Sequence, residues 1–91
     1  MSIGRRHSLM AEIVTLRDEF QEFIDEEKDK LDGELWDALE VDVKFLNYEL
    51  HLLTNDYLND RGIENASQNF EDSQKFLADT KHDHELWKNE S

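Results

Sequence analysis

Apolar residues recur along most of this chain at alternating steps of three and four, the period of a helix with one buried face. In the first third, Leu9, Ile13, Leu16, Phe20 and Phe23 make one seam, which Val14 and Ile24 widen. The spacing predicts a helix from about Ser8 to about Leu31. Ser8 can cap it, because its hydroxyl accepts from free amides of the first turn. The seam then stops, with Glu27 and Lys30 at the next positions. Asp32-Gly33 follows as a natural place to turn.

A second helix is predicted from about Glu34 to about Asp60, and it carries two seams. Trp36, Leu39, Val43, Leu46, Leu50, Leu53 and Tyr57 form one, with Trp36 expected in the core. Ala38, Val41, Phe45, Tyr48 and Leu52 form the other. At about 100° per residue the two stripes lie roughly 145° apart. Such a helix needs a neighbour on each side. The first stripe is expected to pack on helix 1 as an antiparallel hairpin. The second calls for helix 3, a second subunit or a foreign partner.

Gly62, after Arg61, reads as the residue that closes helix 2. Asn65-Ala66-Ser67-Gln68 reads as the capped start of a third, shorter helix. Its seam is Ile63, Ala66, Phe70, Ser73, Leu77, Thr80, His84 and Trp87, diluted by polar members and edged by Phe76 and Leu86. The expected organisation is a flexible basic leader (1–7), one helical domain (8–81) and a frayed polar tail (82–91). The expected fold class is all-α. An antiparallel hairpin with a shorter third helix forms either a three-helix bundle or, by pairing of hairpins, a dimeric four-helix-type bundle. The homodimer is favoured, since a second hairpin covers the leftover stripe better than a thin third helix.

Composition supports this reading. The chain has no proline and only three glycines in 91 residues, so little interrupts a helix. It has no cysteine, which excludes disulfides and thiolate metal sites. No apolar run approaches the roughly 20 residues of a membrane span, and no signal-type stretch follows Arg5-Arg6. A cytoplasmic protein without membrane contact is expected.

Charge changes the picture most. Twelve of the 25 residues from Asp18 to Asp42 are carboxylates, opposed only by Lys28 and Lys30. This segment holds ten of the thirteen net negative charges. Charge runs are most often a solvated face. Here few Glu–Lys pairs at helical spacing can form, so the carboxylates repel one another at a cost to folding. Such a surface excludes direct nucleic-acid binding and attracts basic protein. Carboxylates on rigid helices also imitate a phosphate row, where duplex DNA carries one charge per about 1.7 Å. The residues expected to bind such a partner are Glu22, Asp25, Glu26, Asp29, Glu34, Asp37 and Glu40. Phe45 and Tyr48 join them as aromatic anchors.

A second chemistry is open to the same segment. Asp18-Glu19-x-x-Glu22 and Glu34-x-x-Asp37 place carboxylates three apart along helix edges. Two facing edges could hold Mg²⁺ with substrate phosphates completing the shell. Over Asp18 to Asp37 this resembles the all-α nucleoside triphosphate pyrophosphatases of MazG type, with their E-E-x-x-E and E-x-x-D signature. The resemblance implies a helical bundle and Mg²⁺-dependent release of pyrophosphate. Asp18 stands where the first glutamate of the signature belongs, and Lys44 is the nearest cation in sequence that could bind triphosphate.

Other patterns weigh less. His82-x-His84 with Glu85 would bind a transition metal only from a non-helical tail. Arg5-Arg6-His7-Ser8-Leu9 resembles a basophilic kinase site, whose phosphate would sit at a helix N-terminus. No Ser/His/Asp order points to a nucleophile. The expected function is a non-enzymatic, cofactor-free interaction protein that binds a basic partner. A nuclease or nucleic-acid-binding protein inhibited by a nucleic-acid mimic is the leading case. The alternatives are the pyrophosphatase and a plain helical dimerisation module.

Overall fold

The computed structural model describes residues 2–54 and 60–90. Among them are three α-helices and no strand: α1 (Ser2–Glu27), α2 (Gly33–Leu53) and α3 (Asp60–Glu90). A 3-10 turn, Lys28–Lys30, links α1 to α2. The fold is an all-α bundle with extents of 50 × 17 × 17 Å. Arg5 of α1 lies 4.0 Å from Glu64 of α3 at one end, and Lys88 of α3 bonds Glu27 of α1 at 2.9 Å at the other. α1 and α3 are therefore parallel, with α2 antiparallel to both.

The seams build the core as their spacing predicts, except that Val14, expected to widen the first, is exposed. Leu9, Ile13, Leu16, Phe20, Phe23 and Ile24 of α1 are buried. They meet Leu39, Val43, Leu46 and Leu53 of α2, and Ile63, Ala66 and Leu77 of α3. Phe20 is fully enclosed and stacks on Phe76 at 6.3 Å between centroids. Enclosing one such side chain contributes about 1.5–3 kcal/mol.

Several element boundaries differ from expectation. α1 starts at Ser2, so helix covers the stretch expected as a leader, and Ser8 lies exposed inside the helix rather than capping it. A phosphate on Ser8 would thus miss the helix N-terminus. α2 ends at Leu53, where the Thr54 amide donates to the Leu50 carbonyl at 3.1 Å. Tyr57 lies outside the described residues. Gly62 does not close α2, and Asn65–Gln68 does not open α3; both are inside α3. α3, expected to be the shortest helix, is the longest at 31 residues and continues to Glu90 through the expected tail.

Burial explains the extension. Ile63 and Ala66 are buried, so packing carries the helix through Gly62 and offsets glycine's cost of about 1 kcal/mol. Trp36 is a further correction: it is 37 % exposed rather than core. It sits beside the hairpin turn, where the α1 seam has already ended.

Gly33 is the first residue of α2, after Asp32 as N-cap. No glycine among the described residues has a positive φ, and a Cβ on Gly33 would meet nothing within 4 Å. The turn therefore does not depend on glycine. Gly33→Ala is expected to stabilise the fold by about 0.4–1 kcal/mol by restricting the unfolded chain. Urea unfolding measures this, and a loss of stability would show that the turn requires glycine.

Candidate functional site

The contact of Arg17 Nη1 with Asn47 Oδ1, at 3.0 Å, sets the register of the hairpin. From that pair toward the turn, both arms of the hairpin carry carboxylates, from Glu22 on α1 and from Asp42 on α2. The carboxylates from Glu22 to Asp42 thus occupy the last stretch of the bundle, about 15 Å at 1.5 Å per residue. Of the twelve between Asp18 and Asp42, only Glu27, Glu40 and Asp42 are not exposed. α3 adds Asp79, Asp83 and Glu85 at the same end, together with Lys81 and Lys88. The Lys81 ammonium lies over the Phe23 ring, 5.9 Å from its centroid.

The residues expected to bind a partner lie around this tip rather than on one face. Glu22, Asp25 and Glu26 are exposed on α1, Asp29 on the 3-10 turn, and Glu34 and Asp37 on α2. Glu40 is half-buried and shares the α1-facing flank of α2 with Asn47. Glu34 lies by helical phase on the flank of the second α2 stripe.

That stripe is bare. Val41, Phe45 and Tyr48 are 49, 56 and 57 % exposed, Ala38 is exposed and Leu52 half-buried. α3 settles against the α1–α2 seam and reaches only the edge of the stripe. There, Asn69 Nδ2 donates to Glu49 Oε1 at 2.9 Å. Phe45 and Tyr48 are therefore on the surface, as an interface requires.

The carboxylates of the resemblance, Asp18, Glu19 and Glu22 on α1 and Glu34 and Asp37 on α2, are all exposed. No group of three or more His, Asp or Glu side chains among the described residues converges as a metal site. The His82 and His84 pair sits on a continuous helix, with His82 exposed and His84 buried, so the two do not converge.

Sequence reasoning missed a polar cluster beneath the tip. Glu27 occupies the next position of the α1 seam and His84 a late position of the α3 seam. Their side chains meet, with His84 Nε2 3.5 Å from Glu27 Oε2, while Lys88 Nζ donates to Oε1 at 2.9 Å. His84 is buried, edge-on to Phe23 at 5.6 Å and stacked with Trp87 at 5.6 Å. The signal was present: both seams turn polar at positions that the hairpin brings to one level. Beside this cluster, Leu31, Leu35, Thr80, His84 and Trp87 line an open cavity of about 600 Å³, rimmed by Asp29, Lys30, Asp32 and Asp83.

Lys88 holds the Glu27 carboxyl below its ordinary pKa, chiefly by its hydrogen bond and then by its charge. His84 adds to this, while burial opposes it. Reciprocally, the bond to Glu27 raises Lys88, with Glu27 and Glu85 supplying favourable charge. No protein-family model matches the chain, and no curated protein or solved structure is significantly similar to it.

The depressed Glu27 pKa fixes a sign. Its stabilisation is complete above the ordinary Glu value of about 4.3 and is lost as pH falls through the lower folded value. The raised Lys88 pKa keeps the pair intact on the alkaline side up to and beyond the ordinary lysine value. The difference in melting temperature between wild type and Glu27→Gln is thus expected to favour wild type near neutrality and to vanish in acid. Thermal melts across pH measure it. A difference unchanged at pH well below about 4.3 would mean that the pair is not ionic.

Proposed function

We propose that this protein is a small acidic helical interaction module that captures a basic protein partner. The observation that carries the reading is the adjacency of an exposed carboxylate tip and a bare apolar stripe, Val41, Phe45 and Tyr48. Charge steers encounter and selects against acidic partners, while buried aromatic anchors supply most of the lasting affinity. Either feature alone is ordinary on a helical surface. Together they give a partner both a long-range field and a place to lose water.

A partner that itself binds nucleic acid fits this chemistry, because its groove already receives a row of closely spaced negative charges. Occupation of that groove by the tip would exclude nucleic acid, and the consequence would be inhibition. Homodimerisation through the stripe is a second reading, supported by the same exposed Phe45 and Tyr48. The net charge of −13 on each copy opposes it at low ionic strength.

The test is affinity capture from native lysate with wild type and a variant carrying Glu22→Gln, Asp25→Asn, Glu26→Gln and Asp29→Asn. These four side chains are exposed, so helicity should persist. Wild type is expected to retain a basic protein at about 0.05 M salt and to lose most of it at about 0.5 M, where screening is nearly complete. The variant should retain several-fold less at low salt. Equal capture by both, independent of salt, would overturn the proposal.

A further inference from the structure

On one side of the bundle, the second stripe of α2 borders a continuous trough against α3. Two depressions of about 470 and 180 Å³ share Asp42, Asp72 and Ser73 and so run into each other. One wall is Ala38, Val41, Asp42, Phe45 and Glu49 of α2; the other is Asn69, Asp72, Ser73 and Phe76 of α3. Both walls follow the three-and-four spacing of helical ridges, with small Ala38 and Ser73 leaving room between larger neighbours. Two such ridges form a groove that accepts the side-chain ridge of another helix. From Ala38 to Leu52 the stripe spans about 21 Å, the length of a helix of about 14 residues.

The charges in the trough select the occupant. Its ionisable lining residues are Asp42, Glu49 and Asp72, and no Lys or Arg is among the described residues that line it. Neutral amides hold two of these carboxylates: Asn69 bonds Glu49 at 2.9 Å and Gln68 bonds Asp72 at 3.1 Å. Half-burial raises the pKa of Asp42, which marks a carboxylate short of favourable charge. A second copy of this chain would bring its own carboxylates against these. A cationic helix would neutralise them.

We propose that the α2–α3 groove is a docking site for an amphipathic, Lys- or Arg-bearing helix of about 14 residues. Phe45 in the groove and Tyr48 on the adjoining stripe pack on its apolar face, and Asp42 and Asp72 receive its cations, with buried Glu49 adding charge beneath. This rests on the reading of the protein as a binder of basic partners, and it specifies the element that docks and where.

The test uses the isotope-labelled full chain and a synthetic Leu/Lys peptide of about 14 residues with helical periodicity. A control peptide has the same composition reordered to break that periodicity. Amide shifts map the site and titration gives affinity. The periodic peptide should perturb residues 38–49 and 69–76 and bind about tenfold or more tighter than the control, as expected of a site with aromatic anchors. Phe45→Ala with Tyr48→Ala should erase that advantage, and Asp42→Asn with Asp72→Asn should weaken the periodic peptide at low salt.

Shifts confined to the tip, with equal affinity for both peptides, would overturn the groove and leave the acidic-tip reading standing. Failure of both peptides to bind at low salt would overturn the groove and count against a basic partner altogether. Self-association that Phe45→Ala disperses would assign the groove to a second copy and also overturn the proposal.

Discussion

The insertion of the α1 seam between α2 and α3 is the contact on which the rest of the molecule depends. Leu9, Ile13, Leu16, Phe20, Phe23 and Ile24 are buried on one side of a helix whose other sides are polar. α1 has one apolar ridge and two neighbours to share it. The first stripe of α2 takes one flank, with Leu39 and Leu46 buried, and Ile63, Ala66 and Leu77 of α3 take the other. This arrangement commits α3 to the α1–α2 cleft. It leaves the outer stripe of α2 without a helix to cover it, and it forces the carboxylates of both hairpin arms to one end.

Those carboxylates repel, and the seam must overcome that. Local pairing near the turn does part of the work. Glu27 accepts from Lys88 and lies beside buried His84, so one tip carboxylate is tied directly to the far end of α3. Trp87 stacks on His84 while remaining 53 % exposed, which extends the α3 contact to the last turn of the bundle. The bundle thus closes at its acidic end through a charged and aromatic junction where the apolar seams run out.

Much of this architecture was legible in the residues. Helix 1, the hairpin turn and both α2 stripes follow from spacing alone, because a side chain's phase on a helix is fixed by its position in the chain. The third seam was legible too, including its polar members Thr80 and His84, both buried. What failed were judgements that weigh a local signal against packing. Gly62 and Asn65–Gln68 carry punctuation typical of helix ends, yet Ile63 and Ala66 in this stretch are buried and keep the helix continuous. Trp36 has the phase of the core stripe, but its partner seam ends first. The Glu27–His84–Lys88 cluster joins residues 57 and 61 positions apart, which no local pattern encodes. The acidic tip was legible too, because the run from Asp18 to Asp42 brackets the expected turn at Asp32-Gly33.

The same register gives the tip and stripe their relation. Glu34, Val41, Phe45 and Tyr48 follow one another along the outer flank of α2, so a partner lying on the stripe meets the acidic tip at one end. A bare stripe in the free chain is the premise of both binding readings. The most direct measurement is attenuation of Phe45 and Tyr48 ring protons by a water-soluble paramagnetic probe, in a dilute sample of the chain alone. Strong attenuation at Val41, Phe45 and Tyr48, with Leu39 and Leu46 protected, is the predicted result. Protection of Phe45 and Tyr48 equal to that of Leu39 would mean that α3 or a second copy already covers the stripe, and would contradict it.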